Sequence, residues 1–279
     1  MLYNYSSFLL ESSTDKRIDT TVLTDEQVVN LIINNCKDFK WYHEPLLRRN
    51  NLVYDYLLID PKLHTRKSIN ISNYYTLLID NSPYWKDFPK RSNSLMGAVE
   101  GLPNTIFGRY LFQVIPFDGA KFGVAPSYDL WSRFNYLKIK TGMGIKEIVD
   151  FLEYISNKFK ININDSYYKL FKKDMVEVEK IIKSTDIDEL FKIIGVWDYP
   201  QSFIKLLKEN IDNGVSFIDF INKYIKPNDN NFKLMNYEQL INNNFPENEN
   251  GYEFWTDSKC ILVETHTIKN IKELYDKKI

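Results

Sequence analysis

Four short stretches of this 279-residue chain hold the residue types that could do chemistry. "EPLLRRN" ends an apolar run with the pair Arg48 and Arg49. "DPKLHTRKSINISNYYTLLIDNSPYW" gathers Arg66, Ser68, Asn70 and Asn73 ahead of a helical pattern. "FPKRSNSLMGAV" leads from Lys90, Arg91, Ser92 and Ser94 into a strand-like run, and "GYEFWTDSKCILVE" sets Glu253 at the opening of an aromatic and β-branched run. An arginine beside a helix N-terminus holds phosphate well, because a planar fork of donors meets aligned backbone N–H groups. A carboxylate opening an apolar strand can keep its charge hydrated at the tip while its neighbours are buried. Each stretch also has an ordinary reading: a solvated strand end, a helix-capping loop, a hydrated strand tip. Glu253 is therefore either a plain strand end or a catalytic acid at the edge of a cleft.

The usual signatures of other chemistries are missing. The sequence has no G-x-G-x-x-G fingerprint, phosphate-binding Walker loop, H-E-x-x-H or G-x-S-x-G. Cys36 and Cys260 lie far apart, and His43, His64 and His266 have no ligand spacing with them. No metal site or disulfide framework is expected, and a reducing, cytoplasmic setting fits the cysteine usage. Net charge is −1, so no global positive field gathers nucleic acid, although a local basic patch is compatible with it. No apolar run reaches the ~18 residues of a membrane span, and the N-terminal "MLYNYSSFLLESS" does not read as a signal peptide.

Hydrophobic residues make up 44% of the chain and aromatics 15%, enough for a sizeable core. The first 130 residues read as mixed strand and helix. "YNYSSFLLES", "EPLLRRN", "LVYDYLLID", "SNSLMGAV", "RYLFQVIPF" and "AKFGVAP" are strand candidates. "TDEQVVNLIINNCKDF" is a helix with Thr24 as N-cap, and "SNYYTLLIDN" is a short helix capped by Ser72. From about Ser127 the period changes to i, i+3, i+4 in "GIKEIVDFLEYISNKF", "SYYKLFKKDMVEVEKIIKS", "IDELFKIIG", "SFIKLLKENIDNG" and "VSFIDFINKYI". Strand signal returns only at 252–263. The expected architecture is α+β: a core from 1–130 plus 250–279, interrupted by a helical region at 131–249. The strand near 254–263 should pair within the first 130 residues and with nothing in 140–245.

Arginine, then serine at a strand start, then glutamate opening a late strand is an order that resembles the mono-ADP-ribosyltransferases of the arginine–serine–glutamate class, in particular phage and bacterial members. "PLLRR" looks like the family's arginine strand, "PKRSNSL…FGRYLFQVIPFDGAKFGV" like its serine strand and the strands after it, and "YEFWTDSKCILV" like its late glutamate strand. The resemblance covers residues 42–131 and 252–263. It implies a split β core with a cleft between two small sheets, and NAD as substrate. It assigns Glu253, Ser94 and Arg48 to catalysis, with Arg48 holding the pyrophosphate side or bracing the site. Arg49, Arg66, Asn73, Arg91 and Ser92 are the further cofactor-binding candidates. Arg49 stands where the family carries a small residue, and Gly251 where arginine-modifying members carry a second acid.

The function expected from the resemblance is transfer of ADP-ribose from NAD to a macromolecular acceptor, protein or RNA or DNA, with no metal and no membrane. The setting would be cytoplasmic, in a host cell or after carriage in a virion. The alternative is an inactive relative that binds or builds, such as a virion component.

Overall fold

The computed structural model describes residues 20–41, 46–63, 65, 73–99, 101, 109–127, 130–164, 166–194, 201–245 and 251–279. In chain order the elements are β1 (Thr20–Val22), α1 (Asp25–Asn35), β2 (Leu47–Asn50), β3 (Tyr56–Ile59), α2 (Tyr74–Asn81), β4 (Leu95–Val99), β5 (Tyr110–Pro116) and β6 (Lys121–Val124). Next come α3 (Asn135–Thr141), α4 (Ile145–Phe159), α5 (Tyr168–Ser184), α6 (Ile187–Ile194), α7 (Gln201–Asp212) and α8 (Phe217–Tyr224). The chain closes with β7 (Lys233–Asn236), α9 (Tyr237–Ile241), β8 (Tyr252–Thr256), β9 (Cys260–Glu264) and α10 (Ile268–Asp276). The protein is α+β and divides into two compact units.

Among the described residues the first unit holds every strand, with α1, α9 and α10. Among the described residues nine strands form one antiparallel sheet in the order β1-β3-β9-β5-β2-β4-β8-β6-β7. The sheet has a seam. Among the described residues β2 and β4 share a single residue pair, Leu47 with Ala98, whereas β4 and β8 pair along five residues. The seam separates β1-β3-β9-β5-β2 from β4-β8-β6-β7. The chain crosses it through residues 100–109 from β4 to β5 at one end, and through the short links 117–120 from β5 to β6 and 257–259 from β8 to β9. These two links lie together at the other end and are bonded to each other, Phe117 N donating to Lys259 O at 3.0 Å.

Glycine makes the seam possible. A Cβ on Gly97 would lie 2.6 Å from the carbonyl oxygen of Leu47, so only a residue without one lets β2 approach β4 this closely. Below the sheet, α1 starts with a complete capping box. Thr24 Oγ1 accepts from Gln27 N, and Gln27 Oε1 accepts from Thr24 N. Its Val28, Val29 and Ile32 fall on one face and join the core with Phe112, Val114, Leu262 and Ile271.

The second unit comprises Ser72–Lys86 and Leu130–Phe232. It contains α2 to α8, in keeping with the 3.6-residue period read from the sequence. In α4, residues Ile145, Ile148, Val149, Leu152 and Ile155 are buried along one stripe. Trp85, Phe134 and Phe232 pack together, with Phe232 5.1 Å from Trp85 and 5.2 Å from Phe134.

Several sequence expectations change. The run 252–263 is two strands, not one, because "TDSK" breaks it: Thr256 Oγ1 accepts from Ser258 N at 3.2 Å in a tight polar turn. The two strands then part, β8 pairing with β4 and β6, and β9 with β3 and β5. All of these partners lie within the first 130 residues, as expected. A further strand, β7, stands at 233–236, inside the stretch expected to be helical, and pairs with β6. The residue ahead of α2 is Asn73, whose side chain makes no capping bond. Ser72, the expected cap, and the strand expected at 3–12 lie outside the described residues.

Candidate functional site

The Glu253 carboxylate is not a hydrated strand tip. Tyr252 opens β8, and Glu253 is its second residue with 4% of its surface exposed. Its backbone is fixed on both sides: its N donates to Ser127 O at 2.9 Å and its O accepts from Ala125 N at 2.9 Å. The side chain meets a buried cation, since Arg91 Nη2 lies 2.9 Å from Glu253 Oε1. Burial of either charge alone would be costly; pairing them removes most of that penalty.

Neighbouring strands build the rest. Trp255 sits two residues beyond Glu253, on the same face of β8 by strand alternation. The Arg91 guanidinium lies 5.0 Å from its ring centroid. Trp255 is itself held by a bond from Nε1 to Pro89 O at 2.9 Å and by packing onto Gly123, where a Cβ would come within 2.1 Å of the indole. Met96, the rung partner of Trp255, joins the two arginines. Its sulfur lies 3.6 Å from Arg91 Nη2, and its carbonyl accepts from Arg48 Nη1 at 2.6 Å. Arg48 reaches this point from β2, across the seam. Leu47, Ala98 and Glu253 form one rung through the three strands, and Arg48 follows directly.

Arg48, Arg91 and Glu253 are thus brought into one buried network. Ser94 is not beside the carboxylate. It precedes β4, four residues from the Glu253 partner Ala98, roughly 13 Å along a strand. Its Oγ donates to Lys90 O at 2.6 Å, closing the turn before β4. Ser92 is half-buried with its hydroxyl 3.0 Å from Asn93 Oδ1. Arg49 is half-buried on β2 opposite Leu111. Asn73 belongs to the helical unit, and Arg66 lies outside the described residues. Arg91, read from the sequence as a phosphate candidate, is the ion-pair partner of Glu253.

Cys260, on β9, is fully buried. Burial drives its thiol upward, Cys36 adds to the rise, and the Arg48 guanidinium opposes it. It is a core residue, as is Cys36. A separate cleft of about 780 Å³ opens in the same unit, with Tyr54, Asp55, Tyr56, Tyr110, Glu264 and His266 on its walls. His266 bonds Glu264 through Nδ1 and lies 3.5 Å from Asp55 through Nε2. Neither Glu253 nor the two arginines bonded to Met96 line this cleft. Among the described residues no cluster of histidine, cysteine and carboxylate side chains could hold a metal ion, and no helix is long and apolar enough to cross a membrane.

No protein-family model, curated protein or solved structure matches the chain.

Proposed function

We propose that the protein is an NAD-dependent ADP-ribosyltransferase of the arginine–serine–glutamate class, acting on a protein or nucleic-acid acceptor. The observation that carries this reading is the adjacency of three strands. The strand ending in Arg48, the strand following Ser94 and the strand bearing Glu253 lie side by side as β2-β4-β8, at a seam held by one residue pair. The resemblance calls for two small sheets with a cleft between them; the strands here form one continuous sheet, and the support for the reading is the strand order at its seam, where Arg48 and Glu253 meet through Met96 and Arg91.

In the proposed reaction the bond between the ribose anomeric carbon and nicotinamide breaks, and nicotinamide leaves neutral with the bonding pair. An acceptor heteroatom forms the new bond to that carbon and gives up its proton to solvent or base. Charge builds on the ribose as an oxocarbenium ion, and a fixed carboxylate stabilises it most strongly at the transition state. Glu253 takes that role, Arg91 positions it, and Arg48 contributes donors to the cofactor side. Ser94 supports the turn from which Arg91 projects.

One observation favours a second reading. Glu253 is buried against Arg91, and the pair ties β8 to the turn at 91–94. An ion pair of this kind also serves a protein that only binds or builds. Incubation with NAD carrying a tagged adenine, in lysate with nuclease and protease controls, separates the two readings. Label transfer that Glu253→Gln abolishes supports the enzyme. Absence of both NAD binding and transfer supports the binding protein.

A further inference from the structure

The helical unit carries a second group of side chains that the proposed transfer reaction does not use. Three lysines each lie over a tyrosine ring. Lys226 Nζ is 4.8 Å from the Tyr84 centroid, Lys223 is 5.3 Å from Tyr224, and Lys140 is 5.5 Å from Tyr136. These pairs come from three segments of the chain that share one scaffold. The Asn230 amide donates to Tyr224 O at 3.0 Å and to Lys226 O at 2.8 Å, and its oxygen accepts from Tyr136 N at 3.0 Å. Trp85 Nε1 donates to Ile225 O at 2.8 Å, which fixes the segment that presents Tyr84.

The charge of these segments departs from that of the chain. Segments 83–86, 135–141 and 222–230 hold five lysines, at 86, 138, 140, 223 and 226, against one carboxylate, Asp229. The chain as a whole carries −1. Tyr84 is 47% exposed and Ile139 77%, Tyr136 is half-buried, and Tyr224 braces it from within at 6.2 Å between ring centroids.

We propose that this face binds single-stranded nucleic acid. Ammonium groups answer the phosphates, and the rings of Tyr84 and Tyr136 offer platforms on which unpaired bases stack. A duplex hides its base faces and leaves the rings without a role. An acidic peptide has phosphate-like charge but nothing to stack. The proposal is independent of the transfer reaction, because it requires neither NAD nor Glu253.

Fluorescence anisotropy on the full chain tests it, with labelled twelve-residue oligouridylate, oligothymidylate, a DNA duplex of the same length and oligoglutamate. Tight binding of either single strand, weaker duplex binding and no oligoglutamate binding are expected, with affinity falling as salt rises. The comparison of uridylate with thymidylate separates RNA from DNA. Tyr84→Leu should weaken single-strand binding by about ten-fold, as loss of one stacking ring does elsewhere. Lys226→Gln should weaken it and flatten the salt dependence, whereas Lys180→Gln on α5 should change neither. Tyr84 is exposed enough that its variant tests stacking without the fold, with circular dichroism as the check. The proposal is overturned if no single strand binds at low salt, if oligoglutamate binds as well as oligouridylate, or if Tyr84→Leu binds like wild type.

Discussion

Arg91 and Glu253 stand 162 residues apart in sequence and 2.9 Å apart in space, with 0% and 5% of their side chains exposed. Removing one partner of such a pair leaves the other charge buried and uncompensated. Arg91→Ala is therefore expected to destabilise the fold by about 3–5 kcal/mol. Glu253→Gln keeps shape and a hydrogen-bonding oxygen, so it should cost less, about 1–3 kcal/mol. The double change Arg91→Met with Glu253→Leu should recover much of the loss. Urea denaturation of the four proteins measures this, and a double variant no better than Arg91→Ala would refute it.

Catalysis is tested by the same Glu253→Gln protein at a temperature where it remains folded. The proposed function requires transfer to fall by on the order of 10²–10³, the usual cost of losing a preorganised electrostatic group. NAD affinity, measured calorimetrically, should change little because the carboxylate acts mainly on the transition state. Near-normal transfer in this variant would move the role to another acid.

Arg48 donates across the seam to Met96 O at 2.6 Å. A charge-assisted hydrogen bond contributes roughly 1.5–3 kcal/mol, so Arg48→Ala should lower stability by about that much. If Arg48 also serves the cofactor, NAD affinity should drop by about one to two decades, with lysine restoring only part of it. Loss of stability with unchanged NAD affinity would confine Arg48 to the seam.

Gly97→Ala should be poorly tolerated for a backbone reason. The new methyl would sit 2.6 Å from Leu47 O and from the Phe254 ring. Overpacking of this kind costs about 1–3 kcal/mol, and here it pushes β2 off β4. Hydrogen exchange should show the amides of β2 losing protection before those of β9. Uniform loss across the sheet would contradict the single-pair seam.

Alkaline stability should be limited by two buried acids. Burial pushes the Cys36 thiol from 9.0 up to about 12, with Asp118 adding to the rise. Burial pushes the Tyr237 phenol from 10.0 up to about 12, against a backbone hydrogen bond from Lys40 that lowers it. Both groups hold their protons more tightly when folded, so their contribution is complete below about pH 9 and is lost as pH climbs toward 12. Tyr237→Phe should flatten the fall in denaturation midpoint as pH rises from about 10 toward about 12. An unchanged slope would show that other groups govern alkaline unfolding.

Local signals were legible in the sequence where local physics decides structure. Thr24 with Gln27 announced α1, and the stripe Ile145, Ile148, Leu152, Ile155 announced α4. The four residues of β7 are too few to show a period inside a stretch whose pattern is helical. The turn at Asp257 and Ser258 shows only as two polar residues inside a run whose flanks together look like one strand. For the site, the sequence points to Glu253, Arg48 and Arg91 one by one but carries no sign of their relation. Which arginine meets a carboxylate depends on strand register across the sheet, and register is set by long-range packing. A usable clue was Trp255, two residues from Glu253, a flat surface suited to a guanidinium.

The chain passes between the two halves of the sheet at both ends of the seam, through 117–120 and 257–259 at one and through 100–109 at the other. Between these crossings β2 meets β4 at Leu47 with Ala98, and the Arg48 guanidinium adds a side-chain bond over the same line to Met96 O. Arg91 stands on the β4 side, so it organises Met96 and Glu253 from within one half. The halves are therefore stitched by covalent chain at the margins and, between them, by a cation that is itself part of the charged cluster.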